Sequence, residues 1–328
     1  MKLFLLILAT LSLLSAQGVG PSRKPLWAPI LPPQVKKSKQ MEPGKFVYYD
    51  PEIEEYVIRY IPLNKSEPVI DVLRTPNRAS AEFNADFEPL GDGPNRPVRY
   101  TWRTRNLPLS QEPINTISFV VPASDSALAC DKTSYGLIFI QPPEAGMAAR
   151  QITTPDAPFQ LSLGASRFIL FHLKTTPPNG PNSTLLTPGA PPVQISCTST
   201  YLPGWISVLY VAGDYTSPGP NIPPEALDQL GSMRKIEHDF ASGVTFGPKY
   251  PPGSPVNVIA MDFLNGIANF TATTQLSPDS AYVRAVKEQL TLLAQGAKGR
   301  VSLTNPPSTS LERELDKVLK LALPAAFR

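Results

Sequence analysis

Proline sets the terms for what this chain can fold into. Thirty-nine of the 328 residues are proline, and most fall between apolar runs, as at Pro177-Pro178, Pro191-Pro192, Pro223-Pro224 and Pro251-Pro252. A proline lacks the backbone donor that helix interiors and central strands use, so it belongs in turns, at strand ends and on edges. Short apolar runs punctuated in this way predict a loop-rich β-protein and not one disordered tract. The hydrophobic fraction, 42%, is enough for a packed core.

The runs read as strands. Residues 46–49 and 56–61 flank Asp50-Pro51 as a hairpin-like start. Val98, Tyr100 and Trp102 alternate with Arg99, Thr101 and Arg103, the period of a half-buried strand. Further strands are expected at 117–121, 136–140, 159–163, 193–197, 205–211, 256–261 and 267–273. Residues 168–173 are apolar enough to be central. The expected fold is mainly β, an antiparallel β-sandwich-like body (one large or two smaller units) followed by a C-terminal pair of α-helices.

The first of those helices starts at Ser277-Pro278, turns Tyr282, Val286, Leu290 and Leu293 to one face, and stops at Gly296. Thr309-x-x-Glu312 is a capping box opening the second. Its apolar stripe is Leu311, Leu315, Val318, Leu319 and Ala322, Asp316 pairs with Lys320 outside it, and Pro324 ends it. A short helix is expected at 223–230.

The N-terminus has the three parts of a signal peptide: Lys2, an uncharged leucine-rich run over 3–14, and Ser15-Ala16 as the small residues before cleavage. The run falls short of the roughly twenty apolar residues that span a bilayer. The expected organisation is a signal peptide at 1–16, a basic proline-rich arm or propeptide at 17–42, a β-rich body at 43–276 and a helical segment at 277–328. The expected location is secreted and extracellular, without a membrane span.

Three sequons fit that route: Asn64-Lys65-Ser66, Asn182-Ser183-Thr184 and Asn269-Phe270-Thr271. On the strand expected at 267–273, Asn269 faces away from Ala268 and Phe270. Cys130 and Cys197 are an isolated pair in an oxidising compartment and are expected to form a disulfide. Neither has a CxxC spacing or a nearby histidine that would suggest a metal or a catalytic thiol.

The formal net charge is +3, and setting aside Lys2 with Arg23, Lys24, Lys36, Lys37 and Lys39 leaves −3 for the rest. A mildly acidic body lacks the broad positive footprint of a nucleic-acid binder. There is no Gly-x-Ser-x-Gly elbow, no His-Glu-x-x-His, no phosphate loop and no dinucleotide fingerprint. No metal or cofactor is expected.

The candidate chemistry is sparse. His172 lies in the apolar run at 168–173 and reads as a core histidine. His238 and Asp239, beside Glu237, are the catalytic candidates. Carboxylate pairs such as Glu52 with Glu54 or Glu55, or Asp239 with Asp262, would serve a glycosidase if the fold brought them about 5 to 10 Å apart. Arg99, Arg103 and Arg105 share one face of an expected strand, where guanidinium groups suit the anionic groups of a glycan. The bland alternative is a solvated face paired with the protein's own acids. Tyr201, Asp214 and Tyr215, with Trp205, are a candidate sugar-stacking platform, with core filling preferred for Trp205. The expected function is binding or structural, with a glycan or a surface protein as partner. The alternative is a secreted hydrolase with a carboxylate or His238-centred site.

Overall fold

The computed structural model describes residues 45–62, 64–73, 78–93, 95–121, 128–131, 136–141, 151–152, 161–162, 167–173, 186–212, 221–233, 240–272, 276–297 and 302–327. The architecture is mainly β, with sandwich-like packing of antiparallel sheets. One sheet has four strands: β4 (Ala81–Pro89), β5 (Val98–Asn106), β12 (Val193–Ser199) and β7 (Leu128–Cys130), in the order β4-β5-β12-β7. The second has five: β14 (Ala241–Tyr250), β13 (Leu202–Ala212), β6 (Ile114–Val121), β11 (Arg167–Leu173) and β8 (Gly136–Gln141), in the order β14-β13-β6-β11-β8. A third sheet joins β1 (Val47–Asp50), β2 (Glu55–Tyr60) and β3 (Val69–Leu73). Strands β9 (Gln151–Ile152) and β10 (Leu161–Ser162) make a short pair.

The two large sheets share one core. Val98, Tyr100 and Trp102 of β5 and Ile195 of β12 meet Ile117 and Phe119 of β6 and Val208 and Tyr210 of β13. Trp102 stacks on Phe119 with ring centroids 4.4 Å apart, and its Nε1 donates 2.8 Å to the Phe246 carbonyl. A buried indole therefore ties one sheet to the other while its polar atom is satisfied. The 1–3 sheet has a smaller core of its own. Tyr56, Ile58, Tyr60 and Leu73 pack there on Ile222 and Ala226, at and before helix α1 (Pro224–Met233).

Among the described residues four helices follow β14: α2 (Val256–Ala272), α3 (Ala281–Ala294), α4 (Ser310–Ala322) and α5 (Pro324–Phe327). Helix α2 packs beside β13 through Trp205, whose ring stacks 4.2 Å from Phe270 of α2 and 3.8 Å from Phe246. Trp205 is 1% exposed. It is core filling, as its surroundings in sequence suggest.

The helix α2 corrects the reading of 256–261 and 267–273 as strands. Both runs are rich in β-branched and apolar residues, which imitates buried strands. The buried positions are Ile259, Phe263, Ile267 and Phe270, at helical spacing, and the Pro255 carbonyl accepts from Val258 and Ile259 to open the helix. Asn269 is therefore exposed on a helix, with Phe270 buried beside it. Helix α3 opens at Ser280, three residues later than expected; the Ser280 side chain accepts from the Val283 N–H. Of the strand expected at 159–163 only β10 falls within the described residues. Strands β3, β4, β7, β9 and β14 answer to no expected strand.

Edge strands β4 and β14 lie against each other, and the free rim of β4 is satisfied by side chains. Tyr210 donates 3.3 Å to the Ala79 carbonyl and accepts from the Ala81 N–H at 3.3 Å. Thr245 Oγ1 donates 3.4 Å to the Phe83 carbonyl, and the Glu314 carboxyl of α4 accepts from the Ala85 N–H. An edge covered in this way offers no template for a foreign strand.

Candidate functional site

The side of β5 that faces away from the core carries the arginines. Burial alternates along β5: Val98, Tyr100, Trp102, Thr104 and Asn106 are buried, while Arg99, Arg103 and Arg105 are exposed. The inward residues anchor the strand, so the guanidinium groups stand on a rigid element.

Register assembles the rest of the face. In β4, Glu88 lies opposite Arg99, Asp86 opposite Thr101, Asn84 opposite Arg103 and Glu82 opposite Arg105. In β12, Thr198 lies opposite Arg99, Ser196 opposite Thr101 and Gln194 opposite Arg103. Neighbouring strands are about 4.8 Å apart, so these side chains form one polar carpet. The described outward residues of β4, β5 and β12 include no aromatic ring. Among the described residues the face therefore offers hydrogen-bonding groups and charge, and no stacking surface.

The charges are largely balanced. Arg105 pairs with Glu82 at 2.5 Å and Arg99 with Glu88 at 3.7 Å. Lys317 of α4 reaches Asp86 at 2.9 Å. The hydrogen bond from Lys317 holds the Asp86 carboxyl below the usual range against the upward push of burial, helped by the Lys317 charge, the Phe87 N–H and the field of Arg103. The Arg103 side chain forms no hydrogen bond or ion pair among the described residues, although its charge acts on Asp86. Asn84 donates 3.1 Å to Glu82, and Thr101 and Ser196 share a hydroxyl contact at 3.2 Å. Asn84, Asp86, Gln194, Ser196 and Lys317 escaped the sequence reading because only register and the docking of α4 bring them to the arginines. The alternation of acids and Asn84 with apolar residues over 82–88 was the available signal.

The remaining candidates scatter. Tyr201 is half-buried against the main core, its carbonyl accepting from Tyr100 at 2.5 Å. Asp214, Tyr215, His238, Asp239 and Asn182 lie outside the described residues, as does the His172 side chain, whose backbone pairs with Thr116 and Leu137. Glu55 is buried in an ion pair with Arg78, whereas Glu52 and Glu54 are exposed, so these acids do not share a cleft. Asp262 accepts from Lys249 at 2.5 Å and from the Tyr250 hydroxyl, fastening α2 to β14. Burial outweighs the pull of Asp262 and lowers the Lys249 pKa. Cys130 and Cys197 face each other in register between β7 and β12 and are bonded. Asn64 is exposed in the β2–β3 connection. Among the described residues no group of His, Cys, Asp or Glu is arranged to hold a metal, and no helix is long and apolar enough to cross a membrane.

Comparison with protein-family models, with curated proteins and with solved structures finds no match to this chain.

Proposed function

We propose that this chain is a secreted, N-glycosylated extracellular binding protein that recognises a glycan through the outer face of β4, β5 and β12. One observation carries the reading: Arg99, Arg103 and Arg105 stand exposed in a row on a strand whose opposite side is locked into the core. Carboxylates, amides, hydroxyls and guanidinium groups side by side are the donors and acceptors that sugar hydroxyls need. The signal-like leader, the exposed Asn64 and Asn269 and the Cys130–Cys197 bond support the extracellular route.

The test is a glycan-array screen of the purified protein beside the triple variant Arg99→Ala, Arg103→Ala, Arg105→Ala. The expected result is glycan binding that weakens with salt and is lost in the variant, with the glycan recovered unchanged. Silence across the array overturns the reading and favours a protein partner. Cleavage of the bound glycan favours the hydrolase.

A further inference from the structure

We infer that Arg103, between Asn84 and Gln194, is the subsite for a sugar carboxylate, so that the preferred ligand bears isolated uronate or sialate groups among neutral sugars. This rests on the glycan-binding reading of the same face.

The three arginines are not equivalent. Arg99 and Arg105 each have a carboxylate of β4 within ion-pair distance. Arg103 has none; its register partners are the amides of Asn84 and Gln194. All three of these side chains are exposed. A guanidinium presents two parallel N–H donors that match both oxygens of a carboxylate. An amide on each neighbouring strand, about 4.8 Å away, adds donors and acceptors for the hydroxyls beside it. Asn84 already gives one N–H to Glu82, which orients it.

The surrounding charge decides between sparse and dense anions. Glu82, Asp86 and Glu88 stand on the adjacent strand, and Asp131 is exposed at the end of β7, next to Ser196 in register. A heavily sulfated polymer laid across the face would meet these carboxylates with like charge at every few ångströms. A single carboxylate centred on Arg103 meets a guanidinium with no carboxylate at ion-pair distance among the described residues, its field shared only with Asp86 on the next strand, and the neutral sugars on either side meet polar groups.

The experiment uses glycans that each carry one uronate or sialate, printed beside their carboxyl-reduced partners, with heparin on the same surface. The full-length protein is compared with Arg103→Ala, Arg103→Lys and a control of equal charge change outside the face, Arg59→Ala. The expected result is binding to carboxylated glycans, absent for the reduced partners and weak for heparin. Arg103→Ala lowers affinity about ten- to a hundredfold, Arg103→Lys restores part of it, and Arg59→Ala leaves it unchanged. Equal binding to the reduced partners, or preference for heparin, overturns the Arg103 assignment while leaving a glycan-binding face. Binding to none of these glycans, charged or reduced, overturns both.

Discussion

Glu312 and Glu314 stand two positions apart on α4, yet their carboxyls are displaced in opposite directions. Burial would raise Glu312, but Ser280, the Ser308 hydroxyl and the N–H groups of Ser308 and Thr309 all donate to it and hold it at about 2. Because Ser280 is the N-cap of α3, this one carboxylate joins the starts of both helices. Burial dominates at Glu314 and pushes it to about 7; the Ala85 N–H and Lys317 oppose the shift, and Asp86 and Glu82 add to it.

For Glu312 the folded pKa lies below the unfolded value, so its contribution is present above about pH 4.5 and disappears as pH falls toward 2. Glu312→Gln should lower unfolding free energy by about 2 kcal/mol at pH 7, after allowing for solvent screening at the helix end. Urea titrations of both proteins at several pH values should show the gap closing below pH 4.

Glu314 has the reverse sign. Its folded pKa lies above the unfolded value, so the protonated form favours the fold, and that stability is lost as pH rises through about 7. Glu314→Gln should match wild type near pH 4 and exceed it by about 2 kcal/mol at pH 8. Thermal melts across that range check the crossover.

A Cβ on Gly266 of α2 would sit 2.6 Å from Trp205 Nε1, against a ring with no room to move. Overpacking costs about 1–3 kcal/mol, more than the roughly 1 kcal/mol that alanine gains over glycine in a helix. Gly266→Ala should therefore destabilise. Gly231 of α1 has nothing within 4 Å of its added Cβ, so Gly231→Ala should stabilise by up to about 1 kcal/mol. Chemical denaturation of the pair tests both signs.

The Cys130–Cys197 bond spans 67 positions. Loop closure of that length is worth at most about 4 kcal/mol. The double variant Cys130→Ala, Cys197→Ala should lose about 2–4 kcal/mol and keep its fold by circular dichroism.

The β5 face was legible because its alternation is unbroken and its inward residues are large and apolar. The capping box at Thr309 and the stop at Gly296 were legible because each is a local hydrogen-bonding device. Strand β14 was hidden by Gly243, Gly247 and Pro248. A Cβ at Gly243 would press on Phe83 at 2.8 Å, so the glycine serves sheet-to-sheet approach, and Pro248 is tolerated because β14 is an edge. Strand β4 was hidden by its Asn, Asp and Glu, poor strand formers that fit only beside an arginine strand. The face around Arg103 was half legible for the same reason: Asn84 and Gln194 become its neighbours only through pairing of distant segments.

The most direct test of the proposed binding face is an amide NMR titration of the folded protein with a glycan selected from the array. Shifts are expected at Asn84, Arg103, Gln194 and adjacent amides of β4, β5 and β12, with β1–β3 and α3 unmoved. Shifts confined to other parts of the molecule, with that face silent, would contradict it.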